Sequence, residues 1–490
     1  MKRSKAKSHW KIISVFLFVI LAILALAAVI IPGCSAASSD GGGGGGGGGI
    51  AAPTGVAATA YSRRNVISWN AVTDATKYYI YWSTSSDISK TTGTKITNRG
   101  SGPVIVDITG TSYTQTGLTN GTTYYYIVTA VDTDGNESDA SSSANAAPAW
   151  GITTSTINSG TSSVVYGRYC SLALDSSDYL HVAQKYVSGS TTNRVYETTN
   201  TSGSWVNNQA DTVAVLTSTS IAVDSSGGIH ISYYSTSGYD LKYAYKASGA
   251  TSFTTETPDS TGTTGQYSVL CVDSSGNPHI FYKDGSDNLK HAYKSGGSWS
   301  FETVDTSGAP TSISVAIDSS NTMYIAWING NIVKFRSGTT GSWGTAATID
   351  SGTTMRGVSV ALDSSNVPHV AYFRYNGASS DIRYAEKTTG AWSTPVALTD
   401  SYPGTSGGYY SSMAIDSSGN IFYSYYKETS SSSGLKLAIK TGSTWSIKTI
   451  EDGDETDNIG YYNSLALGSD GRVHIVYYAD GRDLKYALED

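Results

Sequence analysis

From about residue 155 onward the chain repeats one short pattern. SLALD (171–175), SIAVD (220–224), VALDSSNVPHV (360–370) and MAIDSSGNIFY (413–423) share an alternating apolar run, an Asp, a small polar turn and a second apolar run. The aligned positions are Asp175, Asp224, Asp273, Asp318, Asp363, Asp416 and, in the seventh copy, Gly468. Successive spacings are 49, 49, 45, 45, 53 and 52 residues. A unit of this length cannot bury its apolar faces alone, so the copies must stack on one another.

Each copy reads as four strands. The Asp closes the first, and SSG or SSN makes a tight turn. HISYY (230–234) and HVAYF (369–373) exemplify the second strand, and LKYAYK (241–246) and LKLAIK (435–440) the third. WSFETV (299–304) and WSIKTI (445–450) exemplify the fourth. Seven first, second and third strands occur, but only six fourth strands follow them, because the sequence stops at LED. The missing strand is expected at the front, in GITTSTINSG (151–160), where pairing with the last unit would cover both sheet edges. The reading is an all-β chain whose residues 151–490 form a seven-bladed β-propeller with N-terminal strand closure. An eight-bladed ring and an open solenoid are the alternatives.

Composition supports strands and excludes several functions. Charged residues are 14%, against the roughly 25% usual for globular chains, and 36 Tyr are present. The net charge is −7 with Lys scattered, so a basic stripe for nucleic acid is missing. Three Cys (Cys34, Cys170, Cys271) rule out a disulfide-stapled scaffold. No Gly-rich phosphate cradle opens a helix, and no cofactor or metal is expected. Asp132 and Asp134 in DTDGNE read as a hairpin turn. Asp452, Asp454 and Asp457 in EDGDETDN (451–458) read as a solvated loop, short of a calcium-binding set.

Residues 1–34 read as an export segment. Five basic residues precede residues 12–31, apolar except for Ser14 and about long enough to span a bilayer, and the run ends at IPGC. Ile31, Gly33 and Cys34 resemble the bacterial lipoprotein box, although Pro32 departs from its small residue; the resemblance implies lipid attachment at Cys34. A retained helix and simple secretion are the alternatives. Residues 35–50 include nine consecutive Gly, a tether that cannot fold.

Residues 51–148 carry several short alternating strands bounded by NG and DG turns. Pro53, Trp69, Leu118, Gly121 and Tyr124 sit where the fibronectin type III domain has its opening proline, core tryptophan and tyrosine corner; the stretch resembles that family. Asn120 replaces the family's usual proline. The resemblance implies a β-sandwich serving as spacer or binding module.

His181, His230, His279, His369 and His474 share one repeat position, which holds Tyr324 and Phe422 in the other two copies. A position open to His, Tyr and Phe calls for packing, not for a base or a metal ligand, and Gly468 in place of Asp argues against an essential carboxylate. Trp205, Trp299, Trp343, Trp392 and Trp445 read as packing between units, with shallow sugar sites the competing use. Ligand-binding candidates lie seven residues before the Asp, where the residue type varies while the scaffold does not: Arg168, Gln266, Arg356, Tyr409 and Tyr461, with Thr217 and Thr311 in the remaining copies, and with Tyr169, Tyr267, Tyr410 and Tyr462 one residue further on. The repeat style resembles sialidase-like propellers and uncharacterised bacterial surface lipoproteins carrying an SxAxDSSGNxH repeat. Sialidases use three arginines, a Tyr–Glu pair and an acid–base Asp. Arg168 and Arg356 supply at most two of those arginines, and no carboxylate pair for glycoside hydrolysis stands out. No catalytic residue is assigned. The chain is therefore read as a non-enzymatic, exported, membrane-anchored surface protein whose partner is a polysaccharide or a protein; an envelope-assembly role and a hydrolase are the alternatives. If Cys34 is lipidated, Cys34→Ala removes an acyl mass from the N-terminal peptide. A mature protein unmodified at Cys34 by mass spectrometry would contradict it.

Overall fold

The computed structural model describes residues 49–490 except 97–106, 190–191, 214–215, 376–379, 399–409, 430, 455 and 480. Cys34, the apolar run 12–31 and most of the glycine tract lie outside the described residues, as does Tyr409. Among the described residues all regular structure is β apart from one 3₁₀ turn, Thr388–Gly390. None of their helices is long and apolar enough to cross a membrane.

Residues 57–146 form two packed sheets. One pairs Ala57–Tyr61, Arg64–Ser68 and Ser112–Thr116; the other pairs Lys77–Ser83 with Tyr124–Val131 and two short edge strands. Their inner faces bury Ile67, Trp69, Tyr78, Ile80, Tyr126 and Val128. The Tyr124 hydroxyl accepts the Thr119 N–H at 3.0 Å, tying the strand to the preceding corner.

Residues 152–489 form seven antiparallel sheets, each open-edged. Their innermost strands are Val164–Leu174, Leu216–Val223, Gln266–Val272, Pro310–Ile317, Thr354–Leu362, Ser411–Ile415 and Tyr461–Leu467. Each innermost strand packs beside the next, and the seventh packs beside the first. A separate apolar cluster fills every interface between neighbouring sheets. The cluster between seventh and first joins Cys170, Leu172, Leu180 and Val182 to Val476 and Leu484. Second strands such as Ile229–Ser235 and Val473–Ala479 are buried along their whole length, because both faces of the sheet are covered. This is why they read as continuous apolar runs. In the seventh sheet the outer strand is Ile152–Asn158, paired antiparallel with Asp483–Glu489.

The repeated Ser four residues before the Asp has a definite task. The Oγ atoms of Ser171, Ser220, Ser314, Ser359 and Ser464 accept the backbone N–H of Ile221, Leu270, Val360, Met413 and Leu172 on the neighbouring innermost strand, at 3.0–3.3 Å. An innermost strand has a free edge, and buried N–H groups left without an acceptor are costly. The serines satisfy these edges where the strands splay too far for a ladder.

The sandwich is fastened to the turn end of the sheets. Arg63, at φ 54° in the turn between two sandwich strands, donates to both oxygens of Glu489, from Nε at 2.8 Å and from Nη2 at 2.5 Å. It also reaches Asp416 at 3.2 Å and the Gly471 carbonyl at 2.6 Å, and lies 4.4 Å from the Phe422 ring centroid. Glu489 is fully buried and further accepts the Ser62 hydroxyl and the Val473 N–H. Asn120, the departure from the sandwich pattern, accepts the Arg63 N–H at 2.8 Å and donates to Ser62 at 3.3 Å. Removing one partner of such a buried pair leaves the other charge uncompensated. Arg63→Ala is expected to cost about 3 kcal/mol, and Arg63→Lys to restore little of it because the planar fork is lost. Urea unfolding measures both; a loss under about 0.5 kcal/mol would show the pair to be incidental.

Candidate functional site

The histidines, the most conspicuous chemical residues of the repeat, are built into packing. In each of the six Asp turns the Asp Oδ1 accepts the backbone N–H groups two and four residues on, as in Ser226 and Gly228 on Asp224. The free carboxylate oxygen faces the His in four sheets: His230 Nε2 lies 3.0 Å from Asp224, and the other three contacts are 3.5–3.7 Å. The other ring nitrogen meets a third-strand side chain. It is the Tyr243 hydroxyl for His230 (2.7 Å), Tyr384 for His369 (2.6 Å), Tyr486 for His474 (2.7 Å), Glu197 for His181 (2.7 Å) and His291 for His279 (2.9 Å). That third-strand residue in turn receives the Trp of the adjacent sheet. Trp299 packs on Tyr243, Trp343 on His291, Trp392 on Phe335, Trp445 on Tyr384 and Trp205 on Tyr486, at centroid separations of 4.8–5.9 Å. The repeat therefore relays contact from turn to His to aromatic to the neighbouring sheet. Among the described residues no group of His, Cys, Asp or Glu is arranged to hold a metal.

A cavity of about 570 Å³ lies where the innermost strands begin, at their end remote from the Asp turns. All seven sheets line it. Contributors include Tyr169, Thr217, Tyr267, Thr311, Arg356, Tyr410, Tyr461 and Asn463. Of the sequence-derived candidates, Arg356 and Tyr461 line this cavity, while Arg168 and Gln266 do not. Arg168 lies exposed, 5.7 Å from the Tyr478 ring centroid and opposite Lys185 in the register; the Gln266 side-chain oxygen accepts Lys283 Nζ at 3.1 Å.

The physical reason is a bulge. The innermost strands lose register at this point in six of the seven sheets, for example between Gln266 and Val269 and between Arg356 and Ser359. An extra residue re-aims the side chains around it. Tyr169, Tyr267 and Tyr462 take left-handed φ values of 53°, 56° and 55°, and Gly357 occupies the same place at 52°. In the first and third sheets the inward side chain is thus the Tyr one residue beyond the candidate. Two residues before each of these tyrosines stands a Gly, also left-handed: Gly167, Gly265 and Gly460. A Cβ at Gly265 would come within 2.6 Å of the Leu241 Cα; Gly167 and Gly460 meet Leu484 and Leu435 in the same way. The signal G-x-Y was present in the sequence at 167–169, 265–267, 408–410 and 460–462. It marks the strained tyrosines more sharply than the position before them.

The tyrosines gather on one side. Tyr410 lies 4.3 Å from Tyr462 and 5.1 Å from Tyr461, and Tyr169 lies 4.4 Å from Tyr462, between ring centroids. Burial first, then the neighbouring hydroxyls, pushes the Tyr410 and Tyr462 phenols far above the ordinary range, so both stay protonated and able to donate. The rest of the wall is Thr, Ser and Asn with Arg356. Beside Tyr169, Lys185 is lowered to about 8 by burial and then by Arg168. Cys170 at the wall is a buried thiol whose ionisation burial pushes out of reach. In the acidic loop Asp452 pairs with Lys436 at 2.7 Å and Asp457 accepts the Asp454 N–H, so these carboxylates have protein partners.

No family model matches the chain. Among curated proteins it is 38% identical over 97 residues to a poly(3-hydroxybutyrate) depolymerase of Ralstonia pickettii, 20% of this chain and 16% of that one. It is 37% identical over 99 residues to an amylopullulanase of Thermoanaerobacter thermohydrosulfuricus, again 20% of this chain and 6% of the relative. The chain thus spans a small share of the length of these relatives. A solved Fn3-like protein from Clostridium thermocellum is 35% identical and covers 20% of this chain and 92% of its own, with TM-score 0.17. A Hadza microbial sialidase is 10% identical and covers 88% and 93%, with TM-score 0.41. Aleuria aurantia lectin in complex with α-methyl-L-fucoside is 16% identical and covers 58% and 96%, with TM-score 0.38.

The relay histidines give a pH prediction. Burial above all, then His291 for one and Arg472 for the other, lowers His279 and His474 to about 4. Unfolded they titrate near about 6.5, so between these values the unfolded chain binds more protons and stability falls as pH falls. Each contributes on the order of 3 kcal/mol across that window. Urea midpoints from pH 7 to pH 4 are expected to drop steadily, and a flat profile would contradict neutral burial.

Proposed function

We propose that the chain is an exported, membrane-tethered, carbohydrate-binding surface protein. Its seven sheets are the blades of a seven-bladed β-propeller, and its ligand sits in the central cavity. The observation that carries this reading is the cavity wall itself. Tyr169, Tyr267, Tyr410 and Tyr461 provide aromatic faces, while Thr217, Thr219, Thr311, Ser312, Asn463 and Arg356 provide hydroxyls, an amide and one cation. A sugar ring has an apolar face and a belt of hydroxyls, and a pocket with few placed polar groups beside aromatic ones suits both. Left-handed Tyr residues cost about 1–2 kcal/mol each, and such strain gathers where function holds it.

The reading is one of binding without bond cleavage. Glycoside hydrolysis uses two carboxyl groups about 5–9.5 Å apart, and no Asp or Glu is among the described residues lining the cavity. Tethering rests on the sequence: the basic flank, the apolar segment 12–31, Cys34 and the glycine tract. The sandwich serves as the spacer between tether and propeller.

Full-length protein passed over an array of bacterial exopolysaccharides and plant glycans is expected to bind at least one saturably. Arg356→Ala is expected to weaken that binding at least about tenfold, equivalent to about 1.4 kcal/mol, with the urea midpoint unchanged. Saturable binding to no glycan, or binding indifferent to Arg356, would refute the assignment.

A further inference from the structure

Tyr239 stands outside the cavity and outside the G-x-Y pattern. It lies in the hairpin between the second and third strands of the second sheet, where Ser235 pairs with both Asp240 and the innermost residue Leu216. That places it at the cavity end of the sheets. Its φ is 62° and it is 55% exposed. No hydrogen bond or ring contact engages its side chain among the described residues. A left-handed Tyr costs about 1–2 kcal/mol, and here no packing offsets it. Tyr267, in the next sheet, shares these features: φ 56°, 44% exposed, and a ring lining the cavity. The two are joined through the backbone. The Thr264 N–H donates to the Tyr239 carbonyl at 2.8 Å, and Gly265 admits the Leu241 backbone beside it. Tyr239 and Tyr267, both left-handed and exposed, are thus carried on backbone segments of the second and third sheets that a hydrogen bond joins at the cavity end.

We infer that the binding site continues from the cavity over Tyr267 to Tyr239, and that its ligand is a chain of sugars with successive rings resting on the two tyrosines. This rests on the carbohydrate reading and deepens it: the cavity takes one sugar unit, and the tyrosine path takes the units that follow. The flanking groups suit a hydroxylated chain. Gln266, half-buried and paired with Lys283, stands beside Tyr267.

The test is calorimetric titration of the full-length protein with matched monosaccharides and hexasaccharides of the cello-, malto-, xylo-, laminari- and chito- series. For the series that binds, the hexasaccharide is expected to bind at least tenfold tighter than the monosaccharide. Tyr239→Gly, which suits the left-handed backbone and so preserves the fold, is expected to bring hexasaccharide affinity down to the monosaccharide level. Equal affinity at both lengths, or a hexasaccharide advantage that survives Tyr239→Gly, would overturn the extended site while leaving the cavity reading intact. If no series binds at either length, the carbohydrate reading falls and this inference falls with it.

Discussion

The antiparallel pairing of Ile152–Asn158 with Asp483–Glu489 ties the first segment of the repeat region to the last. The two segments thereby occupy one sheet, with Ile152–Asn158 as its outer strand. The Ser464 to Leu172 hydrogen bond and the apolar cluster between seventh and first sheets complete the same junction from the inside. Everything functional follows from it, because the cavity has seven walls only if the seventh sheet is next to the first.

Within that frame the repeat divides its labour by position. Asp holds its turn, His ties the turn to the third strand, the third strand meets the next sheet's Trp, and Ser satisfies the edge of its neighbour. Each residue acts across a boundary, between strands or between sheets, and this explains substitution by residues of like reach. Tyr324 replaces His and still reaches Asp318, at 3.1 Å. Gly468 replaces Asp in a turn whose backbone still bonds to Arg472 and Gly471. The cavity rim is where the repeat stops being uniform.

The strands, their turns and the displaced outer strand were legible because periodicity and turn chemistry are local. The packing role of His and Trp was legible from their tolerance of substitution. Of the candidate positions read from the repeat, Arg356 and Tyr461 line the cavity, and at Arg168 and Gln266 a bulge hands the inward place to the next residues, Tyr169 and Tyr267. Since strand side chains alternate, one inserted residue reverses a face, and spacing from the Asp names both adjacent positions without deciding which of them turns inward. The serine bridges were hidden because they depend on how neighbouring sheets align. The Arg63–Glu489 pair, 426 residues apart, left only the odd Asn120 as a trace.

The placement of that pair has a mechanical corollary. Glu489 is the residue opposite Ile152 in the register, at the end of the pairing that lies next to the sandwich. Tension drawn through the sandwich would load this junction first and peel Ile152–Asn158 away one bond at a time, like a zipper opened from its tab. Arg63 joins the sandwich directly to Glu489, so the pull is delivered to both members of the junction together. Peeling then has to begin by breaking a buried forked ion pair.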